Sequence, residues 1–302
     1  MAAETIPTTR RRENGLLRAL RRNERVRLGG LLFPGLFWLT LFFAFPLVVI
    51  VIYSFLTPGP TGRVVWTFTL DNYVTLFTQG LYVNAYVRSL WFGVLTTAIC
   101  LLIGYPLALF VVQRPPRWRS VLLFLILIPF WTNFLVRTYA WMIILNNNGV
   151  INMAIQALGL PRQTLMNTQG AVLIGLIYGE LPFMVLPIYA SLDRFDFTLL
   201  EAASDLGANR TRAFLRVMLP LTMPGVAAGS VLVFIPTVGQ FVVSDLLGGA
   251  KVDLLGNLLQ RLFTRSNPPN WPLGSAMALV FMIVLTVAVI LYFRNTSELE
   301  RD

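Results

Sequence analysis

Histidine is absent from this chain of 302 residues, and Cys100 is its single cysteine. These two shortages exclude a disulfide within the chain, a zinc site made of cysteine and histidine, and catalysis by a Cys–His or Ser–His–Asp set. No G-x-x-x-x-G-K-S/T run is present either, so the chain lacks the loop that cradles nucleotide phosphates in many ATPases. Because the apolar runs also hold no paired carboxylates, metal ligands or nucleophile–base set, we expect that the chain is not an enzyme, the alternative being a membrane-embedded one, and that it has no cofactor of its own. If ATP drives it, a partner chain hydrolyses the ATP.

Charged residues are also scarce, since they make up 13% of the sequence against 56% for apolar residues. A soluble core does not need several charge-free runs of membrane-spanning length, so we predict an all-α protein that crosses a membrane repeatedly and contacts lipid. The net charge of +10 does not indicate a nucleic-acid partner. The arginines cluster at the ends of apolar runs and form no continuous basic face.

Six apolar runs are each long enough to form a transmembrane helix. They lie at about residues 30–55, 89–112, 120–145, 168–192, 221–243 and 273–293. The predicted organisation is one transmembrane domain at 30–293, preceded by a basic segment at 1–29 and followed by a short charged tail at 294–302. The sequence shows no separate soluble domain and no short-period repeat.

The distribution of arginines predicts the orientation of these spans. The N-terminal segment, the turn around Arg114, the polar segment 193–220 and the tail together hold 17 basic residues, and the opposite side holds six. By the positive-inside rule, both termini and segment 193–220 face the cytoplasm. The arginine-rich N-terminus is interpreted as an anchor that obeys this rule, and an interfacial helix touching anionic lipid or a partner is the alternative.

This polar segment is predicted to form two short helices joined by a glycine. Thr198 and Glu201 have the spacing of a capping box, which marks the start of the first helix. Gly207 ends that helix, because a left-handed residue without a Cβ closes a helix at little cost. Asn209 caps the second helix, and Pro220 ends it. Small residues on a short exposed helix leave a flat surface that another protein can approach closely.

The spaced pattern within the segment resembles the EAA motif of permease subunits of bacterial binding-protein-dependent ABC importers. That motif reads E-A-A, three residues, G, nine residues, then I-x-L-P. Its counterparts here are Glu201, Ala202, Ala203, Gly207, Val217, Leu219 and Pro220, with valine in place of isoleucine as the single departure. The resemblance implies the type I permease fold of six transmembrane helices. It also implies that the segment is a coupling helix seated in a cleft of a cytoplasmic ATP-binding subunit.

Five further runs are similar to the permeases of spermidine/putrescine importers, and together they span about residues 123–271. They are PFWTNFLVRTYAW (129–141), LPFMVLPIY (181–189), LEAASDLGA (200–208), LPLTMPGVAAG (219–229) and VSDLLGGAK (243–251). The resemblance implies a polyamine importer of the bacterial inner membrane. Its expected partners are a second homologous permease, two ATP-binding subunits that hold ATP and Mg, and a periplasmic or extracellular substrate-binding protein. The alternatives are an ABC permease for another small cation or amine, and an ion-gradient-driven secondary transporter.

Two ionisable residues, Arg137 and Glu180, fall inside predicted spans, where a charge is costly unless it is paired or wetted. Either they pair with each other and join the third and fourth spans, or they line the translocation path. Four more residues are candidates for that path: Trp131, Asn133, Tyr139 and Gln240. The aromatic rings among them either stack on a cationic substrate or serve as packing anchors.

Asp245 and Lys251 lie between the fifth and sixth spans, on the side opposite the segment 193–220. Both fall in a run that is similar to the importer family, so the resemblance makes them candidates for the docking of the binding protein. The alternative is an ordinary solvated loop.

Overall fold

The computed structural model describes residues 24–299. Most of the basic segment predicted at 1–29, and the end of the charged tail, lie outside the described residues. The chain divides into two compact units, with the boundary between Ile52 and Tyr53. In its described part, the first unit contains α1 (Glu24–Leu39), a π-helical turn (Thr40–Ala44) and most of α2 (Phe45–Ser54).

The second unit is predominantly helical and begins with a short antiparallel hairpin of β1 (Leu56–Pro58) and β2 (Val64–Phe68). The helices that follow are α3 Asp71–Thr78, α4 Gly80–Val112, α5 Pro116–Trp131, α6 Phe134–Leu145, α7 Val150–Ala157, α8 Gln169–Asp193, α9 Thr198–Asp205, α10 Arg210–Leu221, α11 Met223–Gly239, α12 Leu255–Gln260 and α13 Trp271–Leu299. Short π or 3-10 turns occupy Phe214–Met218 within α10, and Ser244–Gly248, Gly249–Lys251 and Arg261–Arg265 around α12. The all-α prediction is confirmed, with the small hairpin as an addition to it.

Four helices of the described chain are long and apolar enough to cross a membrane unaided. They are Leu32–Ser54, Gly80–Val112, Gln169–Asp193 and Trp271–Tyr292. Two bent pairs of helices also qualify, namely Pro116–Trp131 with Phe134–Ala157 and Arg210–Leu221 with Met223–Gly239. Counting each bent pair as one span gives the predicted number of six.

The predicted third span, 120–145, is not one straight helix. It breaks after Trp131, and the chain resumes in α6 after a bend of 88°. Thr132 and Asn133 both have non-helical backbone angles, and the side chain of Asn133 accepts a hydrogen bond from Leu135 N at 2.8 Å. Asparagine is a favourable N-cap, so a new helix begins here instead of the old one continuing.

Two other helices extend beyond the predicted bounds. The helix that contains the predicted second span, 89–112, begins at Gly80 and runs unbroken for 33 residues. Pro220 lies inside α10 instead of ending it, and the helix continues to Leu221. The π turn at Phe214–Met218 changes the hydrogen-bond register just ahead of Pro220. A proline, which has no N–H to donate, fits such a position.

The core of the second unit is formed by α4, α8 and α11. Buried side chains from all three helices, including Ala108, Met184 and Val233, meet there. Gly225 permits the close approach of α11 to α8, because a Cβ at that position would lie 2.5 Å from Ser191 Cβ. Helix association in lipid depends on such tight packing of small residues. The two helices that flank the polar segment, α8 and α11, are therefore packed tightly against each other.

Candidate functional site

The first helix of the polar segment 193–220, called the coupling segment from here on, begins at Thr198 without the predicted capping box. Asp196 Oδ1 instead accepts hydrogen bonds from Thr198 N at 3.0 Å and from Thr198 Oγ1 at 2.8 Å. The bond from the Thr198 hydroxyl, with that from its N–H, holds the pKa of the Asp196 carboxyl below its ordinary value. The predicted helix start is confirmed, but the predicted capping pair with Glu201 is wrong. A carboxylate two residues earlier is the stronger acceptor and takes that role.

The end of this helix is as predicted. Gly207 has a left-handed backbone with φ of +85°. Its N–H donates to Ser204 O at 2.9 Å, and Ala208 N donates to Ala203 O at 3.0 Å. These two bonds form a Schellman motif, which satisfies the last carbonyls of α9 and turns the chain sharply. Asn209 then caps α10 through its side chain, as the sequence predicts.

The turn at Gly207 folds α9 back over α10 and leaves a concave surface of about 300 Å³ between them. Three residues of the EAA pattern, Ala203, Gly207 and Val217, line this surface, and Arg212 and Arg216 line it as well. The other four are placed elsewhere, with Glu201, Ala202 and Pro220 exposed and Leu219 partly buried. Ala203, Gly207 and Val217 of the pattern therefore line one concave surface, and Arg212 and Arg216 give this surface a positive charge.

Arg137 on α6 and Glu180 on α8 lie partly buried in the membrane-spanning region. Arg137 lines the same small cavity as Gly179, the residue just before Glu180. In the described chain, however, Arg137 Nε and Nη1 and Glu180 Oε2 are all buried without a hydrogen-bond partner. The guanidinium lies 6.0 Å from the ring centroids of both Phe130 and Phe134. The two charges are therefore near each other, and each has atoms that a further group can engage.

The other four candidates for the translocation path divide into two kinds. Trp131 is 73% exposed and Tyr139 is 50% exposed, so neither ring is enclosed by the chain itself. The two amides serve local structure instead. Asn133 caps α6, and Gln240 Oε1 accepts hydrogen bonds from the N–H groups of the two following residues, just after α11 ends. Arg137, Glu180 and the two rings are thus the side chains with unused binding capacity.

The loop that follows α11 carries the two docking candidates. Asp245 Oδ2 accepts a hydrogen bond from Arg265 Nη2 at 3.0 Å, whereas Lys251 is exposed in a 3-10 turn. A second ion pair stabilises the same loop, since Arg261 makes two bonds to Asp253 at 2.6 and 2.8 Å. The sequence gives no signal for this second pair, because its members lie eight residues apart across a turn. Lys251 is the more accessible of the two docking candidates.

Comparison with known families identifies the chain. Residues 100–297 match the model of the family described as binding-protein-dependent transport system inner membrane component. The chain belongs to this family. The predicted resemblance to permeases of binding-protein-dependent importers is therefore confirmed, and the chain is a membrane component of a transport system.

Two relatives of this transport component are named as spermidine/putrescine transport system permease proteins. They are PotB of Haemophilus influenzae and PotB of Escherichia coli K12. Each is 42% identical to this chain over 266 residues, which is 87% of the chain and 92% and 96% of the respective relatives. The similarity is thus longer than the stretch at 123–271 on which the sequence resemblance depended.

A solved structure shows the same fold. It is the crystal structure of a bacterial alginate ABC transporter in complex with an alginate pentasaccharide-bound periplasmic protein. The match has a TM-score of 0.74 and 18% identity, and it covers 95% of this chain and 99% of the other. At that identity the likeness concerns the fold alone, which agrees with the ABC permease fold expected from the sequence.

Proposed function

We propose that this transport component is the permease subunit of an ATP-driven ABC importer for spermidine and putrescine. The observation that carries the proposal is the 42% identity to the two PotB permeases over 87% of the chain. The substrate follows from their names and not from a ligand in this structure. The two unsatisfied charges and two exposed rings near the middle of the spans supply a chemically suitable path.

The proposed assembly has four kinds of contact for this chain. A second homologous permease completes the path, two ATP-binding subunits hold ATP and Mg, a periplasmic or extracellular binding protein delivers the solute, and lipid surrounds the spans. The coupling segment suits the ATP-binding subunit, because its concave surface is lined by Ala203, Gly207 and Val217, which leave room for an inserted side chain. Arg212 and Arg216 favour an acidic group on that partner.

The proposed orientation places the coupling segment and both termini in the cytoplasm. It is supported by an ion pair between Arg119 Nη1 and Asp193 Oδ1 at 2.7 Å. This pair joins the first turn of α5, which belongs to the arginine-rich stretch after α4, to the start of the coupling segment, so the two basic segments lie at the same end of the helices. Positive charge concentrated at one end agrees with the positive-inside rule.

Glu180 is the residue proposed to attract a polyamine within the membrane. Its carboxylate has a buried oxygen without a partner, and an ammonium group can donate to it. Arg137 opposes the entry of a cation at the same place. We infer that Arg137 lowers the affinity of the path for its cationic substrate. A lower affinity favours release of the substrate from the path.

The test is reconstitution of the whole importer in proteoliposomes, with its ATP-binding subunits, its second permease and its binding protein. Radiolabelled spermidine uptake should require ATP and the binding protein, and excess putrescine should compete with it. Uptake that persists without ATP and disappears with an ionophore would instead establish a gradient-driven transporter. Calorimetry of the binding protein with spermidine, putrescine and other small amines decides the substrate class separately from the energy source.

A further inference from the structure

The coupling segment is joined to the membrane core through a sharp bend at Thr222. Helices α10 and α11 meet there at an angle of 67°, and the backbone angles of Thr222, φ of −99° and ψ of 3°, are not helical. Thr222 is fully buried, with 0% exposure. A polar residue that is buried at a helix break needs partners for its side chain and for the freed backbone groups.

Those partners come from two other helices, α4 and α8. Tyr105 Oη lies 2.8 Å from Thr222 Oγ1, which also lies 2.8 Å from Met218 O. Because the threonine hydroxyl has one hydrogen and donates it to the carbonyl of Met218, the tyrosine hydroxyl is the donor to Thr222. Ser191 Oγ donates to Thr222 O at 3.4 Å. The bend is thus the place where α4, α8, α10 and α11 are joined by hydrogen bonds.

Tyr105 makes a second contact with α10. Its ring meets the ring of Phe214 edge-on, with 5.5 Å between centroids and 89° between planes. Tyr105 is 6% exposed, so both contacts are made inside the core. Phe214 opens the π turn of α10, and Thr222 follows the end of that helix. One side chain of α4 therefore holds α10 at two positions two turns apart.

We propose that Tyr105 is the positioning residue that transmits movement of the coupling segment to α4. This inference rests on the proposed function, since it takes the concave surface at Gly207 to be moved by an ATP-binding subunit. A displacement there reaches the spans through α10, which contacts the Tyr105 ring at Phe214 and is held by the Tyr105 hydroxyl at Thr222, just beyond its last residue. Tyr105 lies outside the EAA pattern, and its contacts join that pattern to α4, a helix of 33 residues.

The test compares ATP hydrolysis with solute uptake in the complete importer in proteoliposomes. Tyr105→Phe removes the hydrogen bond to Thr222 and keeps the ring on Phe214. We expect binding-protein-stimulated ATP hydrolysis to stay within about twofold of wild type. The amount of spermidine taken up per ATP hydrolysed should fall about fivefold. This is the size expected when the coupling between two sites loses the contribution of one hydrogen bond. The matched control is Tyr86→Phe, on the same helix, whose hydroxyl donates to Met277 O at 2.6 Å. The control should leave uptake per ATP unchanged.

The threonine side of the bond gives a second, independent comparison. Thr222→Ser keeps a hydroxyl for Tyr105 and should retain uptake per ATP, whereas Thr222→Val should lower it as Tyr105→Phe does. The double variant with Tyr105→Phe and Thr222→Val should be no worse than Thr222→Val alone, because both changes break the same bond.

The outcomes separate this inference from the proposed function. If the wild-type complex shows no ATP-dependent uptake of spermidine, the proposed function is overturned. Normal uptake per ATP in Tyr105→Phe, within a complex that otherwise transports, overturns the role of Tyr105 alone. An equal loss in Tyr105→Phe and Tyr86→Phe also overturns it, because any buried hydrogen bond of α4 would then have the same effect.

Discussion

Glu180 and Arg137 carry opposite charges in the membrane-spanning region and do not hydrogen bond to each other. Glu180 Oε2 and Arg137 Nε are both buried without a partner. A charge at the centre of a transmembrane helix costs at least about 2.5 kcal/mol on insertion scales. A pair that served only to join α6 to α8 would offset that cost by a direct ion pair. Because the two groups are not bonded to each other, we infer that they interact with a third group, the solute that passes between the helices.

We expect Glu180→Gln to raise the KM for spermidine uptake about tenfold. The substitution removes a charge-assisted hydrogen bond between the carboxylate and a substrate ammonium group, and such a bond contributes about 1.5 kcal/mol. The measurement is the initial rate of uptake by the reconstituted importer over a range of spermidine concentrations at a fixed concentration of the binding protein. The glutamine keeps the size of the side chain, so packing of α8 against α4 is preserved.

Asp71→Asn is the control for this change. It removes an exposed carboxylate at the start of α3, outside the coupling segment and the membrane-spanning helices. The KM should not change in that variant. The opposite interpretation, a purely structural pair, would be supported if Arg137→Glu and Glu180→Arg each abolish uptake and the double charge swap restores it.

Gly207→Asp should abolish uptake while leaving insertion in the membrane intact. The left-handed backbone at Gly207 disfavours any side chain by about 1 kcal/mol, and the added carboxylate enters the concave surface lined by Ala203 and Val217. The measurements are spermidine uptake and the amount of ATP-binding subunit that copurifies with the permease. Both should fall together.

Gly159→Asp is the control, since Gly159 also has a left-handed backbone, with φ of +77°, and open space around its Cβ position. It lies in the loop between α7 and α8, away from the coupling segment. Uptake by this variant should match wild type. If both aspartate variants lose uptake equally, backbone strain and not the coupling surface explains the effect of Gly207→Asp.

The sequence predicts the number of spans and the turn at Gly207, because these depend on strong local signals. Long apolar runs identify membrane helices, and a glycine after a polar helix predicts a left-handed end. The break at Asn133 is missed, although asparagine is a favourable N-cap. The reason is that the apolar composition of 120–145 continues on both sides of the break and conceals it.

Interactions between distant parts of the chain are the ones that sequence reasoning misses. The hydrogen bond from Tyr105 to Thr222 joins residues 117 positions apart, and no local pattern indicates it. The Arg137 and Glu180 charges are recognised as unusual from the sequence. Whether they touch depends on the 88° bend before α6, which composition does not predict.

Asp196→Ala should loosen the start of α9. The Asp196 carboxylate accepts two hydrogen bonds from Thr198, and these account for its lowered pKa. Because the folded-state pKa lies below the unfolded value, this stabilisation is complete at neutral pH and is lost only as the pH falls below about 4. Hydrogen exchange of the α9 amides at neutral pH should be faster in Asp196→Ala. Asp196→Asn, which keeps an acceptor oxygen, should exchange more slowly than the alanine variant, and equal exchange in all three proteins would contradict the assigned cap.

Lys251→Glu should weaken the response of the importer to its binding protein. Lys251 is exposed on the proposed outer side, in the same loop as the two ion pairs that keep that loop ordered. Reversing one charge at the edge of an interface changes affinity by about 1 kcal/mol, so the binding-protein concentration for half-maximal ATP hydrolysis should rise about fivefold. Basal hydrolysis without binding protein should stay the same.

Arg162→Glu, an equal charge reversal in the exposed loop before α8, should leave the half-maximal concentration unchanged. A similar rise in both variants would mean that the binding protein responds to overall charge and not to a site at Lys251.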